Sequence, residues 1–332
     1  MGAIAILLAL GPATAQATVL GSYVALSFLI NWPHFTASYQ LLYSAPGALQ
    51  RYPFATKYVP AFLIAYVVVA TVLYGRAPAL ARIFHAAASI YLAWHYTGQS
   101  WGAMASFAHV EGIRFDPVSR GLVRTNMTVL LAWHALWSAN LVAKTVGPER
   151  FMPVYEAVSV VALASAALGV AGLWRLWRTS GRLPLSVLLP WLSIHLWYGL
   201  LYFSGALYWV LVVQMAHALQ YLLFPMRVHA NRQTVATSSL LARSGAYYAL
   251  LLASGFAAFW VAPRIGDWLA VRAVSALPLG LAGMLVGDML AIHHYFVDGC
   301  IWKLGNREVR QELFAHLNPA VPTALPNLNM SL

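Results

Sequence analysis

Hydrophobic positions in this chain fall in long, nearly uninterrupted blocks, separated by short stretches that hold most of the charges. A helix needs about 20 apolar residues to cross the hydrocarbon layer of a bilayer. Nine blocks approach that length, at roughly 5–31, 58–76, 82–106, 123–145, 152–174, 185–203, 205–226, 244–263 and 274–298. They predict an all-α fold, a polytopic transmembrane helix bundle of about nine spanning helices over residues 1–304. A tail, 305–332, follows. It opens with a charged segment, Asn306–Phe314, suited to a short interfacial helix, and ends in a Pro/Asn-rich stretch. The first block contains GPATAQA, which has the small residues of a leader-peptide cleavage site. It lacks a basic start and continues through Val24–Ile30, so a retained helix is expected, loosened at Gly11-Pro12. Pro190 and Pro278 are expected to kink their helices, which membrane segments tolerate.

Composition sharpens the membrane reading. Of 332 residues, 61% are hydrophobic and 9% charged, against about 25% charged in ordinary soluble domains. That leaves too little charge to cover a water-facing surface, and too much apolar character for disorder. The formal net charge is +11. With no basic-aromatic nucleic-acid motif, this excess points to membrane lipids as partners rather than to nucleic acid. Connections after odd-numbered blocks hold Arg51 and Lys57, Arg114, Arg120 and Arg124, Arg175, Arg178 and Arg182, Arg227, Arg232 and Arg243, and Lys303, Arg307 and Arg310. The opposite side holds Arg76, Arg82, Lys144, Arg150, Arg264 and Arg272. Positive charge gathers on the cytoplasmic side of membrane proteins. The expected orientation therefore has an external N-terminus and a cytoplasmic C-terminus, in a bacterial inner membrane. One cysteine, Cys300, excludes a disulfide framework, a thiolate zinc site and an iron–sulfur cluster.

The 11 histidines are the chemistry left inside. Counted at about 1.5 Å per residue from the block ends, His95, His134, His195 and His217 fall roughly 13–17 Å from the inner boundary, and Asp288 falls at a similar depth. A second layer, nearer the cytoplasmic face, holds His34, His109, His229, His293 and His294, with Asp298. His294 and Asp298 are four apart and share a helix face, as a carboxylate that orients a metal-bound imidazole requires. His34 lies in Asn31-Trp-Pro-His-Phe, where Pro33 should break the helix. Gln99, Gln214, Gln220, Asn140 and Tyr221 are candidate supporting polar residues. Ionisable groups inside a membrane are costly and mark functional sites by default, and neutral imidazole is the commonest metal ligand. A lone membrane histidine can equally hydrogen-bond across helices. His85 and His316 read as interfacial, and His229 as part of a basic loop. His109 can pair with Glu111, and Asp298 with Lys303. Trp94, Trp133, Trp191 and Trp197 adjoin histidines and can wall an apolar pocket or simply belong to interfacial belts. Met104, Met127 and Met215 read as core.

The expected metal ligands are therefore His34, His95, His217 and His294. His134 and His195 are further cofactor ligands, and Asp288 and Asp298 orient ligands or relay protons. An imidazole-rich set suits iron, with copper or zinc as alternatives. The reaction class expected is oxidoreductase chemistry on a lipid-soluble substrate. Three other readings stand beside it. Haem b can be held between His95 and His195 or between His134 and His217. Midplane ionisable groups also serve proton- or ion-coupled transporters. A structural subunit carrying pigments is the last. There is no GxxxxGK, GxGxxG or GxSxG, and the desaturase boxes HxxxH and HxxHH are missing.

Isolated histidines on separate helices, in an aromatic-rich polytopic body of this length, resemble the Brp/Blh membrane carotene dioxygenase family. The similarity spans the helical body at the level of architecture. His34, His95 in Trp94-His-Tyr, and His217 match that family's ligand positions. The resemblance implies a non-haem iron and a dioxygenase reaction. Its later ligand pair is HxxxH, whereas here the fourth residue after His217 is Tyr221.

Overall fold

The computed structural model describes residues 2–143, 147–204, 206, 208–232, 239–274, 277–302 and 307–317. The side chain of Asn140, with Lys144, Lys303, Asn306 and the tail beyond 317, lies outside the described residues. Every regular element among those described is helical. Helix α1 is Gly2–Ala9, α2 Pro12–Tyr43, α3 Phe54–Val72, α4 Ala79–Val110 and α5 Pro117–Ala143. They are followed by α6 Pro148–Ser180, α7 Leu185–Ser204, α8 Tyr208–Arg232, α9 Leu240–Ala273, α10 Leu281–Ile301 and α11 Arg307–Leu313. Six of these, α2, α3, α6, α7, α8 and α9, are long and apolar enough to cross a membrane. The others of comparable length, α4, α5 and α10, hold 32, 27 and 21 residues and carry much of the inward polar chemistry. Apolar side chains such as Ile64, Val68, Val160, Val161 and Leu223 stand exposed on the outside of the bundle, as expected where the solvent is hydrocarbon.

Proline shapes three of the long helices. Helices α2, α3 and α9 each contain one widened π turn, at Ser27–Asn31, Phe54–Tyr58 and Ala257–Val261. Each turn ends two residues before a proline, Pro33, Pro60 or Pro263. A proline within a helix removes one amide donor and crowds the carbonyl four residues back; a wide turn relieves that crowding. In α2 the carbonyl left without a donor is that of Leu29, and the Tyr248 hydroxyl of α9 donates to it. The Leu29 carbonyl is thus not left an orphan acceptor.

Two boundaries differ from expectation. Gly11, at φ +78°, separates α1 from α2, with Pro12 in the first turn of the new helix. Pro278 kinks nothing, because α10 begins after it, at Leu281, capped by Gly280 at φ +84°. The charged segment near the C-terminus forms α11, which docks on α8 instead of lying free. The Asn231 amide donates to the carbonyls of Glu312 and Leu313, Arg232 pairs with Glu312 at 2.9 Å, and Leu313 and Phe314 are buried against Leu41 and Val228.

The largest apolar core draws on α4, α5, α6, α7 and the start of α8, with Ile4, Ala15 and Val19 of α1 and α2, around Trp133, Tyr155, Trp191, Trp197 and Trp209. Trp133, Trp191 and Trp197 are packing residues there. The polar centre lies elsewhere, where α10 packs on α2, α3 and α4 and α8 closes against α2.

Candidate functional site

Four helices each deliver one buried histidine to the same place: His34 from α2, His95 from α4, His217 from α8 and His294 from α10. All four are at most 9% exposed. His34, His95 and His294 each offer one ligand atom within 4.8 Å of those of the other two. His217 joins from a further side, with its Nε2 3.0 Å from Nε2 of His95. Ring centroids lie 4.6 Å apart for His34 and His294, 5.0 Å for His95 and His294, and 5.1 Å for His34 and His217. His34 lies just after the π turn of α2. Nδ1 of His34 donates to the carbonyl of Asn31 at 3.1 Å. A carbonyl only accepts, so Nε2 of His34 carries the lone pair. That atom is buried and has no hydrogen-bond partner.

The same holds around the ring. Nδ1 of His217 and both nitrogens of His294 are buried without a hydrogen-bond partner. An unpartnered buried polar group costs about 1–3 kcal/mol, and buried imidazoles ordinarily satisfy both nitrogens. Four of them in one apolar pocket, with several lone pairs unspent, form a donor set suited to a cation. Imidazole nitrogens of this kind fit iron, copper or zinc.

Asp298, one turn after His294 on α10, completes the centre. Its Oδ2 stands 3.4 Å from Nε2 of His294 and 3.7 Å from Nε2 of His95. Its Oδ1 accepts from the Ser38 hydroxyl at 2.7 Å and the Tyr221 hydroxyl at 2.8 Å. The Tyr221 and Ser38 hydroxyls lie side by side, and the Trp302 indole N–H donates to the Tyr221 oxygen at 2.7 Å. Gln99 steadies the His217 backbone, donating to its carbonyl at 3.2 Å.

The other sequence candidates sit apart from this centre. His134 stacks on Tyr198 with ring centroids 4.3 Å apart. His195 packs on Trp191 at 4.1 Å and donates through Nδ1 to its carbonyl. His95 meets His217, and His134 meets Tyr198. Asp288 faces His85 at 2.8 Å, so it orients a residue read as interfacial instead of a site histidine. Of the supporting residues, Gln99 and Tyr221 reach the centre, whereas Gln214 accepts from Tyr23. His293 donates to the Ala55 carbonyl, His229 stacks on Tyr247, and His109 packs on Phe314. Glu111 pairs with Arg182 at 3.5 Å, not with His109. Two contributors carried no sequence signal. Ser38 is one of many small polar residues, and Trp302 reads as a belt residue.

A cavity of about 630 Å³ opens beside the centre, walled by His95, Asp298, Gln99, Tyr91, Trp94, Tyr295 and Phe296. Gly98 and Gly102 line it from α4, and a β-carbon at either would meet open space. The glycines therefore make room, since no close helix contact requires them. The cavity wall is mostly aromatic and aliphatic, and its polar side chains include Arg51, Gln99 and Ser106 beside His95 and Asp298. Comparison with protein families, with characterised proteins and with solved structures finds no match to this chain.

Proposed function

We propose that this chain is an integral membrane, metal-dependent oxidoreductase that acts on a lipid-soluble substrate. The observation that carries the reading is the convergence of His34, His95, His217 and His294, from four helices, on one buried point that borders an apolar cavity. The proposed ion is a non-haem iron, with copper or zinc as alternatives. Four imidazole rings with centroids about 5 Å apart favour a bare ion over haem, because a porphyrin needs a wide flat slot between two ligands. A proton- or ion-coupled carrier would place its ionisable groups along a path; here they gather at a point. The resemblance to membrane carotene dioxygenases agrees with this assignment and takes His34, His95 and His217 as shared ligands. His294 supplies a fourth imidazole from a different helix.

Bound metal would supply the redox chemistry, at a position facing the cavity. The chain supplies the rest. Tyr91, Trp94 and Phe296 offer an apolar wall that accepts a lipid and excludes water. Gln99 holds the helix segment that carries His217. Asp298 supplies negative charge beside the ligand nitrogens.

The proposed topology has nine spans, the six most apolar helices plus α4, α5 and α10, with the N-terminus external and the C-terminus cytoplasmic. The asymmetry of Arg and Lys supports that orientation, in a bacterial cytoplasmic membrane. The substrate arrives laterally from the bilayer.

The test is elemental analysis and an optical spectrum of detergent-purified protein. About one iron per chain, absent from a variant lacking His95 and His294, is the expected result. Metal-free protein whose stability ignores chelators would overturn the reading, and a sharp Soret band would replace it with haem.

A further inference from the structure

We propose that Asp298 is a fifth donor to the same metal ion, through Oδ2, and that Tyr221 is the residue that positions it. The inference rests on the metal reading above and adds a ligand and its support. The two oxygens of Asp298 have separate tasks. Oδ1 is occupied by two hydroxyls, Ser38 at 2.7 Å and Tyr221 at 2.8 Å. Tyr221 is fixed in turn by the Trp302 indole at 2.7 Å and by its ring, 4.8 Å from that of His34. Ser38 is fully buried, and Tyr221 is 2% exposed, so this side of the carboxylate cannot turn toward water. Oδ2 is left facing the histidine nitrogens.

The distances suit shared coordination better than hydrogen bonding. Two donors each about 2.1 Å from one ion stand about 3.0 Å apart at a right angle and about 3.4 Å apart at the tetrahedral angle. His95 and His217 meet the first value at 3.0 Å, and Asp298 and His294 the second at 3.4 Å. At 3.7 Å from His95, Oδ2 is outside hydrogen-bond reach and within the spread of one coordination sphere. Charge argues the same way. Four neutral imidazoles around a divalent ion would leave two positive charges in a low-dielectric interior, which is costly without a partner. One carboxylate halves that charge. His95 and Asp298 both wall the cavity, so the ion's open position would face it.

Full-length detergent-purified protein titrated with Co²⁺ tests the assignment, because the intensity of its d–d absorption falls as coordination number rises. Wild type should give the weak bands of a five- or six-coordinate ion. Asp298→Asn keeps the hydroxyl contacts to Oδ1 but removes the anionic donor. It should give stronger, four-coordinate bands with affinity reduced more than tenfold. Tyr221→Phe keeps the ring and removes the hydroxyl. It should still bind one Co²⁺, about 10–100-fold more weakly, as expected for an outer-shell change, with displaced bands that Ser38→Ala shifts in the same sense. Unchanged bands and affinity in Asp298→Asn would overturn the carboxylate ligand while leaving the histidine site standing. Unchanged bands and affinity in Tyr221→Phe would overturn its positioning role. Wild type that binds no Co²⁺ would overturn the metal reading and this inference together. Should Asp298→Asn fail to fold, Tyr221→Phe decides alone.

Discussion

Nε2 of His95 and Nε2 of His217 stand 3.0 Å apart, on helices α4 and α8, though 122 positions separate them in the chain. Two neutral imidazoles can share one proton at that distance. Two ligands of one ion make the same contact and use both lone pairs. Replacing either with alanine should therefore abolish stoichiometric metal. The loss should exceed the about 10–100-fold typical of outer-shell changes. Metal content of His95→Ala and His217→Ala, by mass spectrometry of purified protein, checks this. Full occupancy in either would remove that residue from the ligand set.

Metal removal should lower stability. A ligand that binds only the folded state at 100 times its dissociation constant stabilises by about 2.7 kcal/mol. Here it also satisfies lone pairs that are otherwise stranded at His34 and His294. Chelator should lower the thermal midpoint of wild-type protein in detergent, and His34→Ala with His294→Ala should be insensitive to it. Equal chelator sensitivity in wild type and double variant would place the metal elsewhere.

Much of this centre was legible in the chain, and the exceptions have physical causes. His34, His95, His217 and His294 stood out because an ionisable residue inside an apolar block needs a reason. Their grouping into two depth layers did not hold. His34 and His294, assigned near the surface, meet His95 and His217, assigned to the midplane. Depth counted from the ends of apolar blocks misplaces them, because α4 and α8 continue as helices to Val110 and Arg232, and hydropathy does not report such overhang or the wide turn before Pro33. Asp288 shared a depth with the histidines yet faces His85, because depth says nothing about which side of a helix a residue occupies. Ser38 was invisible for a related reason: its hydroxyl matters through Asp298, 260 positions away.

The pair of Asp288 and His85 should be separable from the proposed metal centre. His85 is 38% exposed on its side chain and Asp288 13%, so the pair contributes at most about 1 kcal/mol. Asp288→Asn should lower the thermal midpoint slightly and leave metal content unchanged. Loss of metal in this variant would return Asp288 to the site.

A latch outside the spans should show a distinct pH dependence. Asp116, just before α5, accepts from the Ser119 hydroxyl, from Arg175 and from the amides of Val118 and Ser119. These contacts, led by the Ser119 hydroxyl, hold its carboxyl well below the usual carboxylate range. A depressed folded value means that the stabilisation is complete above the unfolded value, about 3.9, and is lost as pH falls through the folded one. Wild type should therefore unfold at higher temperature than Asp116→Asn at neutral pH, and the gap should close in acid below about pH 4. A gap that widens on acidification would contradict this assignment.

Filling the cavity should separate substrate entry from metal binding. Gly98 and Gly102 occupy one face of α4, and added side chains there would project into open space. Glycine also costs a helix about 0.8–1.0 kcal/mol relative to alanine, and leucine ranks close behind alanine, so Gly98→Leu and Gly102→Leu should fold at least as well as wild type. Metal stoichiometry and the optical spectrum should be unchanged. Dioxygen uptake on a lipid extract should fall by at least about tenfold, equivalent to about 1.4 kcal/mol in the barrier, because the substrate can no longer lie against His95. Uptake at the wild-type rate in both variants would show that the substrate reaches the centre by another route.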